Sequence, residues 1–277
     1  TLPFSTVGDP SGTRYLISTY AVSYASSCSS LLFLTERKAS SRAKGLLAFA
    51  NPLYHLSSSV RKGGKISPAS LMKNLYESQG FDLDPLDQSE QEVKSIAAFF
   101  PKGKKDVYVS GEASEEKLKQ TALENYEVIH FACHAYEDDR VPFRSGLFLS
   151  LHQGQEEDGF LQAREIGRLR MNAGLIVLSA CRSSGGHIEP GEGTMGLPRV
   201  FFYAGAQSVL SSLWEVSDLA AVELMRRFYS YLGQKKSKAQ ALRLAKLSML
   251  ESRYAHPFYW AAFVLHGEPF SQLSSLE

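Results

Sequence analysis

The sequence predicts an α/β fold in three layers, with a mostly parallel central sheet flanked by helices, and three observations carry that reading. Short runs of β-branched, aromatic and aliphatic residues alternate along the chain with segments of helical spacing. Several of these runs are apolar on consecutive residues, as strands covered on both faces must be. Hydrophobic residues make up 44% and charged residues 21% of the 277, which is apolar material enough for one large core.

Taken in order, strands are expected at 14–23 (RYLISTYAVS), 46–50 (LLAFA, stopped by Asn51-Pro52), 107–109 and 127–132. Further strands are expected at 146–151 (GLFLSL), 174–180 (GLIVLSA), 207–213 and 261–265. The Gly, Pro, Asn and Ser residues that bound these runs are ordinary strand punctuation. A helix over 89–100 aligns Val93, Ile96, Ala97 and Phe100 in one stripe. A second, over 114–123, opens with Ser114 as N-cap and with Glu115 and Glu116 in the first turn, where carboxylates complement the helix dipole. Helices over 217–232 and 238–250 gather Ala221, Leu224, Met225, Phe228 and Leu232, then Ala239, Leu242, Ala245 and Met249. These stripes read as core. Residues 52–88, with SSS, KGG and FDLDPLD, read as a loop-rich insert within a single domain over 1–277. Because the chain starts at Thr1 on a strand-like pattern, it reads as a fragment of a longer polypeptide.

Thirty basic against 29 acidic residues give a net charge of +1, which provides no global field for phosphate backbones or anionic lipid. No direct nucleic-acid binding by this segment is expected. The apolar stretches LLFL and GLIVL fall far short of the roughly 18 to 20 residues that span a bilayer, so no membrane segment is expected. Three cysteines make no disulfide framework and suit a reducing, cytoplasmic compartment.

Two expected strands end on reactive side chains. EVIHFACHAYED puts His134 just past one, and GLIVLSACRSSGG puts Cys181 at the end of another. In parallel sheets such groups converge at the carboxyl ends of strands, where loops meet over a rigid base. A thiol with an ordinary pKa of roughly 8.5 is a poor nucleophile until a neighbour takes its proton, and an imidazole can do so. The same imidazole can protonate a leaving amine, while the backbone N–H groups of Cys181 and Ala135 are available to a developing oxyanion. Taken singly, the cysteine also reads as a buried structural thiol and the histidine as a polar strand cap. His130 shares strand parity with His134 and reads either as a group that orients it or as a satisfied structural histidine. Cys133 has the opposite parity and reads as a small buried hydrophobe, and Cys28 is given no role.

The motifs HFACHA, LSACRSSGG, GEGTMGLPRVFFYAGAQSVLSSLWEVSD and HPFYWAAFVLHGEP, together with RYLISTYAVSYASSCSSLLFL and GLLAFANP, resemble the CHAT domain. That family is a caspase-like cysteine protease module related to separase. The likeness covers nearly the whole chain. It implies a caspase–hemoglobinase-like fold, no metal or organic cofactor, and a His134–Cys181 dyad that cleaves a protein or peptide substrate. It also implies a fused or associated regulatory repeat domain that activates the enzyme. The family commonly has Gly after the catalytic histidine, whereas Ala135 stands here, which keeps the backbone donor but disfavours a positive φ.

By analogy with this clan, residues after the strand ending near Leu213 line the substrate pocket. Trp214 would give an apolar wall, and Glu215 or Asp218 would select a basic residue before the scissile bond. Asp218 also reads as a first-turn acid of the 217–232 helix. Glu137, Asp138 and Asp139 would rim the cleft or form a solvated loop. The alternative function is a catalytically weak CHAT domain that serves as an interaction or scaffolding module.

Other patterns point elsewhere and fail. GEGTMG at 191–196 satisfies a dinucleotide fingerprint, but it does not directly follow a strand. Neither Cys133 nor Cys181 has the arginine spacing of a phosphatase loop. HFACH has two histidines at a zinc-like spacing, but it lies at a strand end without the glutamate of a metalloprotease helix, so no metal is expected.

Overall fold

In the computed structural model, residues 7–9, 12–37, 44–54, 83–138, 141–150, 157–179 and 196–276 are described. At the N-terminal end β1 (Val7–Asp9) and β2 (Gly12–Arg14) pair as an antiparallel hairpin apart from the main sheet. Next come β3 (Lys44–Ala50), β4 (Lys105–Val109) and β5 (Tyr126–Ala132), which are parallel to one another with β3 in the middle. Every residue of β5 is buried, which is why its sequence is apolar without alternation. The chain then leaves the main sheet to form a small antiparallel one from β6 (Ala135–Tyr136), β7 (Gly146–Phe148) and β8 (Phe160–Gln162). It returns through β9 (Leu175–Leu178), β10 (Ser208–Ser212) and β11 (Phe263–Gly267). The main sheet has the order β11-β10-β9-β5-β3-β4, and only the β10–β11 pair is antiparallel.

Two sets of helices cover the two faces. Leu46, Ala48, Val128, Val177 and Leu210 pack on the stripes of α2 (Asp87–Ala97), α6 (Asp218–Gly233) and α7 (Lys238–Leu250). These are the stripes read from sequence, and the loss of one large member such as Phe228 would cost about 3–5 kcal/mol. Phe49, Ile129, Phe131, Ile176 and Val209 face the opposite way, towards α3 (Glu115–Gln120), α4 (Ala163–Ile166) and α5 (Gly196–Ala204). Ser114 caps α3, its hydroxyl accepting from the Lys117 N–H at 3.2 Å. Gly205 ends α5 with φ +119°, and a side chain there would collide with the Met171 carbonyl. Among the described residues no helix is long and apolar enough to cross a membrane.

Some expectations need correction. The run 14–23 is not a strand: past Arg14 it forms a 3-10 turn at Leu16–Ser18, and only Tyr24 touches the sheet, through one bridge to His266. Its apolar residues serve the core directly, with Ile17 buried and Tyr15 edge-on to Trp260 at 5.3 Å. Arg243 of α7 donates to the Ile17 and Ser18 carbonyls, replacing strand partners. Of the run 146–151, Gly146–Phe148 form a strand in the side sheet, and 151 lies outside the described residues. The helix expected at 89–100 begins earlier, at Asp87, so it takes the end of the 52–88 segment, of which 55–82 lies outside the described residues. Three helices were not expected, α1 (Cys28–Glu36), α4 and α5. α1 is set by a local capping box in which Ser27 and Ser30 satisfy each other's backbone N–H groups.

Candidate active site

The carboxyl ends of β5, β9 and β10 form one rim. Parallel pairing sets Phe131 opposite Leu178, and the Ser179 N–H donates to the Phe131 carbonyl at 2.9 Å. His134 follows on the β5 side, 8% exposed, with its carbonyl accepting from the Phe148 N–H of the side sheet at 2.9 Å. Cys181, expected as the nucleophile and as an oxyanion donor, lies outside the described residues, as do Asp139 and the GEGTMG stretch up to 195. Ala135 is buried in β6 with a negative φ, so the alanine in place of glycine carries no left-handed strain.

Two neighbours that the sequence did not single out hold the histidine. Its Nε2 lies 2.8 Å from the Asp84 carbonyl oxygen. A carbonyl only accepts, so Nε2 carries the proton and the neutral ring keeps its basic lone pair on Nδ1. The Tyr54 hydroxyl accepts from the His134 backbone N–H at 3.2 Å, and the two rings lie 5.2 Å apart. Burial pushes the Tyr54 phenol well above its ordinary pKa, so it remains protonated. Asn51 brings Asp84 to this place. At the end of β3 it turns with φ +47°, its side-chain oxygen accepts from the Leu86 N–H at 3.2 Å, and its own N–H donates to Ser89 Oγ at 2.8 Å. The sequence signal for this was the Asn51-Pro52 stop, which marks a turn and does not show what the turn carries.

His130, four residues before His134 and within β5, is fully buried. One ring nitrogen is 2.7 Å from Glu92 of α2 and the other 3.1 Å from the Tyr229 hydroxyl of α6. It therefore anchors Glu92. Glu92 and Asp218 both line a crevice at the rim, with Leu86, Ser179, Ser212 and Val216 around them. The Asp218 carboxyl is raised from its ordinary range by partial desolvation and then by the Glu92 charge, while His134 pulls it the other way. The crevice is acidic and nearly shut, at about 20 Å³, which is room for about one water. Trp214 and Glu215 are not part of its wall: the Trp214 indole N–H donates to the Phe258 carbonyl at 3.0 Å, and Glu215 is exposed. Glu137 and Asp138 are half-buried in the loop after β6.

The other two cysteines differ sharply. Cys28 is exposed at the start of α1, whereas Cys133 is buried and burial pushes its thiol far up, away from reactivity. A trio of carboxylates, Glu115, Glu157 and Glu165, brings oxygens within 4.8 Å of one another. The Lys119 ammonium sits among them at 2.7, 2.5 and 3.0 Å, so a lysine already supplies the positive charge a metal would bring.

A family model for the CHAT domain matches residues 1–268. Among solved structures, the Saccharomyces cerevisiae separase–securin complex superposes with a TM-score of 0.52 at 15% identity, covering 91% of this chain and 14% of that one. The Arg-specific cysteine proteinase gingipain R superposes with a TM-score of 0.53 at 7% identity, covering 90% of this chain and 53% of that one. At such identities the likeness is one of fold, and that fold is the caspase-like α/β one. Tetratricopeptide repeat protein 28 of Mus musculus is 34% identical over 108 residues, and its Homo sapiens counterpart 35% identical over 111. Each match covers 39% of this chain and only 4% of the relative.

Proposed function

This chain belongs to the CHAT domain family, and from that premise we propose that it is a cysteine endopeptidase in which Cys181 attacks a protein substrate and His134 moves the proton. The observation that carries the reading is register. β5 and β9 are parallel neighbours with Phe131 opposite Leu178, and His134 and Cys181 each follow that pair by three residues. Adjacent strands run about 4.8 Å apart, so equal counts past one strand pair support assigning the two residues to a single site.

In the proposed cycle the His134 Nδ1 takes the thiol proton, and the thiolate sulfur bonds to the scissile carbonyl carbon. The C–N bond then breaks as the imidazolium returns the proton to the departing amine. Water, deprotonated by the same imidazole, hydrolyses the thioester to a carboxylic acid and the free thiol. The backbone N–H groups of Cys181 and Ala135 stabilise the oxyanion. Asp218, with Glu92 beside it, selects an arginine or lysine before the cut through a charge-assisted hydrogen bond. Support comes from the two carboxylates of the crevice and from the described Arg specificity of gingipain R, a protein of the same fold. Trp214 as an apolar wall and Glu215 as a second acid for the basic residue remain proposed for the substrate pocket, outside the closed crevice.

A crevice of about 20 Å³ is too small for an arginine side chain, so the pocket must widen before it accepts one. This supports a resting enzyme activated by a fused or associated repeat domain, as the name of the matched tetratricopeptide repeat proteins suggests. The same closed crevice favours the second reading, an interaction module without turnover. The two are separated by alkylation with a peptidyl-arginine electrophile followed by peptide mapping. Selective modification of Cys181 that disappears in His134→Ala is the result expected of the enzyme. Equal labelling of accessible thiols, indifferent to that substitution, would leave only the interaction module.

A further inference from the structure

At the far end of β11 lies a second cavity, of about 450 Å³, between α1, α5 and the edge of the sheet. Its position is independent of the cleft. β11 runs antiparallel to β10, so Phe263, which lines the acidic crevice, pairs with Ser212, whereas Gly267, which lines this cavity, pairs with Ser208 at the opposite rim. Its size falls within the roughly 300–1,000 Å³ typical of small-molecule pockets.

Three features of the wall define what it would hold. The first is His266, only 2% exposed, which lines the cavity with neither ring nitrogen hydrogen-bonded among the described residues. Burial lowers its pKa to about 4, so the ring is neutral at physiological pH and offers one N–H donor and one lone pair. A buried polar group left without a partner costs about 1–3 kcal/mol, and one facing a cavity is placed to meet a ligand.

The second is the sign of the charge. Among the described residues, Arg199 of α5 is the one ionised side chain that lines the cavity, and no carboxylate lines it. The first turn of the nine-residue α1, from which Ser30 reaches the cavity, contains no acidic residue to balance the positive end of its dipole. The third is the aromatic surround. Phe33 and Tyr203 stand 66% and 82% exposed at the mouth, and Phe202 and Tyr24 line the cavity with them. Exposed aromatic rings beside a cationic group suit a ligand with an apolar body and an anionic head.

We propose that this cavity binds a small amphipathic organic anion, its carboxylate held by the Arg199 guanidinium and the His266 N–H, and its aromatic or branched body packed among Phe33, Phe202 and Tyr203. The site does not depend on the proteolytic reading, because binding there can be measured without turnover.

The test is a calorimetric titration of the 277-residue chain with 2-naphthoate and with the neutral 2-naphthamide, alongside histidine-labelled NMR. The expected result is saturable binding of one naphthoate, about tenfold tighter than the amide, with the His266 ring resonances shifting on saturation. Arg199 is exposed, so Arg199→Gln should leave the melting temperature unchanged while bringing acid and amide to equal affinity. Absence of saturation, equal affinity for acid and amide in the unsubstituted chain, or His266 resonances that do not move would each overturn the proposal. So would an Arg199→Gln variant that keeps the acid–amide difference.

Discussion

The two cavities along β11 are chemical opposites built on one sheet. The crevice at the carboxyl rim is acidic and almost closed, lined by Asp218 and by Glu92, which a buried histidine holds. The cavity at the other rim is roomy and cationic, with Arg199 at the mouth and His266 unsatisfied in its wall. The histidines make the contrast sharper. His130 spends both ring nitrogens on protein partners and so serves as scaffold, His134 is tied at Nε2 by a carbonyl, and His266 is tied at neither. Burial alone does not decide what a histidine does. What decides it is the set of partners that neighbouring elements bring to the ring.

Substitution at each histidine tests that contrast, and the largest effect is expected at the rim. His134→Ala should slow alkylation of Cys181 by a peptidyl-arginine electrophile by about 10²–10⁴-fold, as measured by mass spectrometry of the mapped peptide. Cys133 should stay unlabelled in folded protein, and Cys28 should react equally in both variants, which provides an internal reference.

The next effect concerns pH. In the folded chain the His266 pKa is depressed from 6.5 to about 4, so between those values the unfolded chain binds the additional proton. Its contribution to stability is complete above about pH 6.5 and is lost as pH falls towards 4, in total on the order of 3 kcal/mol. Urea unfolding across that window should show a shallower pH slope for His266→Phe than for the unsubstituted chain. Identical slopes would mean that the ring is not held neutral.

A smaller change is expected at the acidic crevice. Asp218→Ala should reduce the preference for arginine over leucine before the cut by about tenfold. Glu92→Gln should do the same while also releasing His130. An unchanged preference in both variants would remove these carboxylates from substrate selection. Smallest of all, Tyr54→Phe leaves the His134 backbone N–H without its acceptor and should cost about 1–2 kcal/mol in urea unfolding, with a far milder loss of alkylation rate than His134→Ala.

How much of this could be read from residues alone depended on the range of the interaction. Consecutive apolar residues in EVIHFA and GLIVL implied strands covered on both faces, and β5 and β9 are such strands. The periodic stripes of α2, α6 and α7 were legible for the same reason, since each records the face it buries within one or two turns. RYLISTYAVS misled because apolar, β-branched content states that a segment is buried and not what buries it. Trp260 and Arg243, more than two hundred residues further on, supply what a partner strand would have supplied.

The same distinction divides the two cavities. His134 was legible as the residue just past a strand because its place follows from local pattern, and Cys181, assigned to the same rim by the habit of parallel sheets to gather chemistry there, lies outside the described residues. The carbonyl of Asp84, the hydroxyl of Tyr54 and the carboxylate of Glu92 have no such signature: a backbone oxygen is the same in every residue, and which ring it meets is settled by how distant segments pack. His266 and Arg199 are likewise remote from each other along the chain and meet only because the sheet edge and two unforeseen helices enclose a common space. Local composition thus determined the central strands, the periodic helices and which segments are buried, whereas the partners of each polar group, and with them the chemistry of both cavities, were decided only when the folded layers closed on one another.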